Sequence, residues 1–157
     1  MELKTILALK DAETIVDVAI GVGRSHDMLP LTVIVLDVGG HTVVMKREDG
    51  SGIMRCDVAT GKAWGALGMG VPTRLLGDRL ADRPAFQGAL AAVSGGRFVA
   101  VPGGVLIRDL GNSVIGAVGI SGDSSDKDEY CAIKGIEASG FTPDPLVPAP
   151  DWASSKL

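Results

Sequence analysis

One apolar stretch, Gly116-Ala-Val-Gly-Ile-Ser-Gly122, carries three glycines and runs straight into the acidic segment Asp123-Ser-Ser-Asp-Lys-Asp-Glu129. The pattern reads as a strand, a polar turn and a helix start. Glycine in a strand gives up packing area, so three of them mark backbone that another group approaches closely. A ligand, a helix of the same chain or a second subunit would each meet that requirement. The functional question is which of them fills the space.

The remaining sequence supplies partners for this strand. Residues 11–24 have apolar side chains at helical spacing (Ile15, Val18, Ala19, Val22), with Asp11 placed as N-cap. Leu31–Val38 is a continuous apolar run, Gly39-Gly40 a two-residue turn, and His41–Arg47 a returning strand, which together predict a hairpin. Residues 54–68 read as a helix with Val58, Ala59, Ala63, Trp64 and Leu67 on its apolar face. Gly61 and Gly65 inside it each cost about 1 kcal/mol against alanine, which implies close packing against another element. Short helices are expected from Pro72 and over Pro84–Val93. Arg97–Val101, Val105–Arg108 and Ser113–Ser121 read as a three-stranded meander, and Asp126–Ser139 as the last helix, with Tyr130, Ile133 and Ile136 inward. Hairpin-type links predict an α+β domain: a five-stranded antiparallel sheet with helices packed on its faces. The domain should span residues 1–140. The tail 141–157, with prolines at 143, 145, 148 and 150, can form neither helix nor central strand, and Trp152 suggests that it docks as an arm.

Composition narrows the function classes. The chain has 157 residues, enough for one domain with a core, and a formal net charge of −4. Its only adjacent basic pair, Lys46-Arg47, is followed at once by Glu48-Asp49, so nucleic acid is not an expected partner. Three Phe, two Trp and one Tyr leave little for base stacking or a sugar platform. No run approaches a membrane span, and the early Glu2 and Lys4 do not fit a secretory leader, so a cytoplasmic protein is expected. Cys56 and Cys131 are too few for a metal knuckle and read as buried free thiols. His26 and His41 form no HxH or HxxxH pattern, so a protein-ligated metal is not expected. Met45, Met54 and Met69 read as core filler.

Several side chains have candidate chemistry beside a plain structural role. Asp37, next to the hairpin glycines, is placed for an Asx turn or for the mouth of a pocket. Arg47 and Asp49 share a strand face, so they form an edge salt bridge or, with Lys62, converge on a carboxylated ligand. Lys62 could act as a general base if burial lowered its pKa. Asp128 and Glu129 suit a helix N-terminus, and Glu129 could exchange a proton beside Gly119–Gly122. The amides of Ser121 to Asp123 could hold an anion. Familiar motifs fail: Gly61-Lys62 lacks the Walker glycine and hydroxyl, Gly21-Val-Gly23 ends a helix, and Ser121 misses the nucleophile-elbow spacing.

The ordered series Val35-Leu-Asp37-Val-Gly-Gly40, Lys46-Arg47-Glu-Asp-Gly50, Gly61-Lys62-Ala63, Val71-Pro-Thr73, Gly95-Gly96, Gly116–Gly122 and Asp128-Glu129-Tyr-Cys-Ala132 resembles the GlcG/HbpS-type haem-binding family. That family is related to the C-terminal domain of PduO-type corrinoid adenosyltransferases. The resemblance covers roughly residues 10–140. It implies a profilin-like α/β/α domain, a homo-oligomer and, in some members, haem. It further implies Thr73 as an iron ligand by analogy with the secreted branch, and His26 as the nearest counterpart of the PduO-branch histidine. Three features depart from the family: the Phe98-Val-Ala-Val-Pro-Gly-Gly104 stretch within Arg97–Asn112, where relatives tend to show Gly-Gly-x-Pro directly, the Pro-rich tail and the lack of a secretory pattern, the last of which argues against an extracellular haem-sensing role.

Three readings follow. The first is a small-molecule or cofactor-binding protein, with haem as the family's cofactor, held by Thr73, Arg47, Gly119, Ser121 and His26 near the helix bearing Lys62. The second is a catabolic isomerase, hydratase or lyase acting on a small carboxylated substrate. It would use Lys62, Asp49 or Glu129 as base and Arg47 as clamp, and needs these groups around one cavity. In the third, the glycines serve packing alone.

Overall fold

A computed structural model of the chain describes residues 4–157; the apolar run Leu3–Leu9, whose pattern fits a strand or a helix alike, begins outside the described residues. In chain order the elements are α1 (Leu9–Ser25), β1 (Thr32–Asp37), β2 (Thr42–Arg47), α2 (Arg55–Met69), α3 (Thr73–Leu80), α4 (Pro84–Val93), β3 (Gly104–Arg108), β4 (Val114–Ser121), α5 (Ser125–Ala138) and β5 (Thr142–Asp144). The five strands form one sheet in the order β2-β1-β4-β3-β5, and every pairing is antiparallel. The expected α+β class holds.

The two faces of the sheet are covered differently. Val33, Val35, Val105, Ile107, Val118 and Ile120 point to one side and pack with Ile15, Val16 and Ala19 of α1 and with Cys131, Ile133 and Ile136 of α5. Ile34, Leu36, Leu106 and Ala117 point to the other and meet Ala59, Ala63 and Ala66 of α2. The strict alternation follows from the period of two in a strand. The result is three layers, α1/α5 over the sheet over α2, with α3 and α4 extending the α2 side around Leu76, Leu80, Phe98 and Ala100.

The opening question about the glycines is answered by the chain itself. A methyl group at Gly119 would collide with the carbonyl of Ala59 on α2, one at Gly116 with the Leu36 carbonyl, and one at Gly122 with the Pro30 carbonyl at 2.5 Å. The bare backbone of β4 is where α2 and its own neighbouring segments seat. Gly61 and Gly65 act similarly on the outer side of α2, where Val99 and Phe98 lie against them.

That contact corrects the meander. Arg97–Val101 is not a strand; it crosses α2, with the Val99 amide bonded to the Gly61 carbonyl at 3.3 Å. Its apolar side chains pack onto α3 and α4 instead of into the sheet. The fifth strand is β5, from the Pro-rich tail, paired with Leu106–Arg108 of β3 at the edge. Pro143 is tolerated there because an edge strand leaves one side of its backbone unpaired. Smaller corrections concern α1, where Ala8 and not Asp11 is the N-cap, and Met45, Met54 and Met69, which are exposed and fill no core.

Gly119→Ala is expected to lower stability by roughly 3 kcal/mol or more, because a backbone carbonyl cannot give way as a side chain can. Gly88→Ala, with nothing near its Cβ in α4, should instead be neutral or stabilising by up to about 1 kcal/mol. Urea unfolding of both variants checks the contrast.

Candidate functional site

The small face of α2 lets one long polar side chain pass inward. Lys62 lies between Ala59 and Ala66 and is almost fully buried. Its Nζ donates to the Ile120 carbonyl at 2.8 Å and to Asp128 Oδ2 on α5 at 2.9 Å. The pair thus joins the two helical layers around one end of the sheet. The other Asp128 oxygen accepts the Asp123 amide at 3.1 Å, so the carboxylate is satisfied on both sides. Gly103, at φ +112°, makes room: a side chain there would meet Lys62 Nζ at 2.9 Å and Asp128 Cβ at 3.1 Å. Burial pushes the Lys62 pKa down and that of Asp128 up, and in each case the partner's charge opposes the shift.

Glu129, one residue on, is equally buried but differently placed. Neither carboxylate oxygen has a hydrogen-bond partner. Arg74 of α3 approaches with Nε at 3.4 Å from Oε1, short of an aligned hydrogen bond. The Ala149 amide faces the group and favours its charged form without completing a bond. Burial dominates and raises the pKa to about 7, against an ordinary 4.5, with Arg74 opposing.

A third feature is a cleft of about 560 Å³ at the far end of the β1–β2 hairpin. It is walled by Ile6, Leu7, Leu9, Val38, Val43 and Ile115, with Lys4, Asp37 and Thr42 among its polar lining. Ile6, Leu9 and Val38 are 55%, 55% and 54% exposed, unusual for aliphatic side chains that share one concave surface. Asp37 at its edge accepts the Gly39 and His41 amides, the Asx arrangement expected of it. The His41 amide above all, offset by burial and aided by the Gly39 amide, holds its pKa below the usual carboxylate value.

The residues picked from the sequence do not share one cavity. Lys62 and Glu129 are neighbours in the interior, whereas Arg47 and Asp49 are exposed. Arg47 donates to the Ser51 carbonyl at 2.9 Å and forms no salt bridge with Asp49, because β2 ends at Arg47. Thr73 is buried with its hydroxyl on Gly104, accepting the amide at 2.8 Å and facing the carbonyl at 3.3 Å. Ser121 is buried beneath Arg55, which donates to its hydroxyl at 3.1 Å, and Gly119 lies under α2. The Asp123 amide, suggested as part of an anion nest, is taken by the chain's own Asp128. His26 is exposed at the end of α1, with Nδ1 at 3.0 Å from the Val22 carbonyl. Its ring meets Tyr130 and Trp152 edge-on. Cys131 is buried, its thiol pushed up to about 12 by burial and then by Asp128, while Cys56 is only half-buried. Among the described residues no cluster of metal-ligating side chains occurs, and no helix is long and apolar enough to cross a membrane.

Sequence reasoning missed Asp128 as a partner, Arg74 and the cleft. A lysine among alanines and glycines on a buried helix face was the available signal for the first. For the cleft the one local signal was Asp37 as a candidate for the mouth of a pocket, and the rest of its walls come from separated segments.

A model of the family described as haem degrading protein HbpS-like matches residues 7–137. An uncharacterised 15.0 kDa protein from the dhaT–dhaS intergenic region of Citrobacter freundii is 32% identical over 104 residues, 66% of this chain and 72% of that protein. The crystal structure of a PduOC–haem complex superposes with a TM-score of 0.77 at 26% identity, covering 86% of this chain and 96% of the other. A double mutant of HbpS from Streptomyces reticuli gives 0.72 at 28% identity, covering 87% and 89%. ORFY of Klebsiella pneumoniae, at 0.76 and 23% identity over 89% and 94%, shares the fold.

Asp128→Asn should destabilise the protein by about 3–5 kcal/mol, because it strands a buried ammonium, while Lys62→Met combined with Asp128→Leu should recover much of the loss. Denaturant unfolding of the two checks this. Glu129 holds its proton more tightly folded than unfolded, so its contribution is complete below about pH 4.5. Stability then falls as pH rises to about 7 and is level above it. Glu129→Gln should remove this slope and be more stable than wild type at pH 8 by up to roughly 3 kcal/mol. A constant difference between the two proteins from pH 4.5 to 8 would refute the assignment.

Proposed function

From the premise that the chain belongs to the HbpS-like family, we propose that it is a small-molecule-binding protein whose ligand lies in the cleft between the N-terminal segment and the β1–β2 hairpin. The observation that carries this reading is the convergence of three half-exposed aliphatic side chains, Ile6, Leu9 and Val38, on one concavity. Its volume of about 560 Å³ lies within the usual range for ligand pockets. Apolar walls with Lys4 at the lining suit a ligand with an apolar body and an anionic group.

Haem is the cofactor that the relatives' names suggest, and the residues here fit it poorly in the places expected. Among the described residues, the cleft lining holds no imidazole, thiolate or thioether. The Thr73 hydroxyl is enclosed and committed to Gly104. Two imidazoles present Nδ1 to an acceptor, which would leave Nε2 as the lone-pair nitrogen: His26 at 3.0 Å from the Val22 carbonyl and His41 at 3.3 Å from Asp37 Oδ1. Neither ring is among the residues that line the cleft. Any iron binding therefore belongs with one of these histidines, apart from the ligand proposed here.

The acid–base enzyme reading requires Lys62, Asp49, Glu129 and Arg47 around one substrate. Two are sealed in the interior and two face solvent elsewhere. The geometry supports binding over that chemistry. Self-association is part of the proposal, because an edge strand with exposed Met45 and the aliphatic rim of the cleft leave surface for a second copy.

Titration with an anionic apolar fluorophore such as anilinonaphthalene sulfonate should saturate on wild type. Val38→Glu, a change at an exposed position, should weaken it tenfold or more with circular dichroism unchanged. Equal affinity in the two proteins would sink the cleft assignment. A parallel absorption titration with haem should show any Soret shift surviving in Val38→Glu and lost in His26→Ala or in His41→Ala.

A further inference from the structure

Residues 145–157 follow β5 across the molecule to a short 3-10 turn at Trp152–Ser154. Prolines 145, 148 and 150 deny this segment regular pairing. Leu146 and Val147 turn their side chains outward, 65% and 66% exposed, so they contribute little hydrophobic hold. The attachments are few. Arg74 Nη2 donates to the Val147 carbonyl at 2.8 Å. The Trp152 ring stacks on Tyr130 of α5 with centroids 3.6 Å apart and planes 7° from parallel. Between these points the Ala149 backbone faces Glu129. A segment held by so few groups opens locally at a small fraction of the global unfolding free energy.

Beneath it lies the carboxyl group that the rest of the fold leaves without a hydrogen bond. We propose that residues 145–157 form a strap whose seating is coupled to the protonation of Glu129: seated over the neutral acid, lifted from the carboxylate. A buried carboxylate without aligned donors is costly, whereas the neutral acid is far less so. Lifting the strap admits water to Glu129. It also removes the Val147 carbonyl from Arg74, freeing the guanidinium to turn toward the carboxylate.

The charged groups around Glu129 fit this direction. Arg74 of α3 and Lys62 of α2 favour ionisation, but Lys62 is already committed to Asp128 and Arg74 to the strap. Asp126 on α5 opposes it. Asp128 of the same helix is balanced by Lys62, and Arg108 of β3 is paired with Asp144 of β5 at 2.8 Å. From the strap itself, the Ala149 backbone faces the group. The raised pKa of Glu129 in the closed form agrees with the geometry. His26, just past α1, lies against Trp152 of the strap, and Asp151 and Lys156 belong to the strap itself.

Hydrogen–deuterium exchange of residues 145–157, corrected for intrinsic rates, measures the opening constant directly. In wild type it should climb by up to about tenfold per pH unit between pH 5 and 7 and level off above. Glu129→Gln should be seated and flat across the range, and His26→Gln should keep the wild-type climb. Arg74→Gln should open more at pH 5, where Glu129 is neutral, since it loses the Val147 tie. A flat wild-type profile, or a climb that disappears in His26→Gln and persists in Glu129→Gln, overturns the proposal. The His26→Gln profile decides even where Glu129→Gln fails to fold: a climb supports the coupling and a flat line refutes it.

Discussion

The buried bond between Lys62 and Asp128 is the constraint around which the rest of the structure is arranged. It joins α2 on one face of the sheet to α5 on the other, past the edge of the sheet where β3 begins. Two charges removed from water are costly unless every lone pair and proton is used. Here the ammonium has the Ile120 carbonyl and the carboxylate has the Asp123 amide. The backbone must therefore come close on all sides. Gly103 and Gly104 at the start of β3 supply that room, since a side chain at Gly104 would strike the Lys62 carbonyl and the Thr73 methyl. Thr73 then pins the Gly104 amide, so its hydroxyl supports the ion pair indirectly.

Seen this way, much of the apparent ligand signal in the sequence is architecture. Gly119 and Ser121 lie beneath α2 because β4 must approach that helix closely enough for Lys62 to reach past it. The chain's own carboxylate occupies the amide that an external anion would have used. Within the family fold, Thr73, Ser121 and Gly119 are engaged in the chain's own packing and hydrogen bonds. The proposed binding cleft lies where the packing ends, at the half-exposed Ile6, Leu9 and Val38.

The hairpin, the helix periods and the Gly-rich strand were legible because each depends on residues close in sequence. Gly40, at φ +80°, turns the chain, though the connection runs over residues 38–41 and not the two residues expected, and Ala59, Ala63 and Ala66 repeat at helical spacing. Arg97–Val101 misled because a short apolar run looks the same whether it faces a sheet or a helix. The deciding partners, Gly61 and Gly65, lie more than thirty residues away. β5 was obscured by Pro143, whose missing donor only an edge position tolerates. The cleft was legible only at Asp37, for a related reason. Its walls unite the N-terminal segment, the hairpin turn, β2 and Ile115, and no local pattern predicts that meeting.

Asp128 and Glu129 show how little sequence distance decides the fate of a buried acid. One helical step rotates a side chain by about 100°, from the side facing α2 to the side facing α3 and the tail. Asp128 finds an ammonium and an amide at hydrogen-bonding distance. Glu129 finds a guanidinium whose outer nitrogen is already drawn to the Val147 carbonyl. Arg74 cannot serve both partners fully with one planar group while the tail is seated. Moving the tail and rehydrating the acid relieve the same conflict. A buried acid without hydrogen bonds and a loosely attached tail are thus two consequences of one shared arginine.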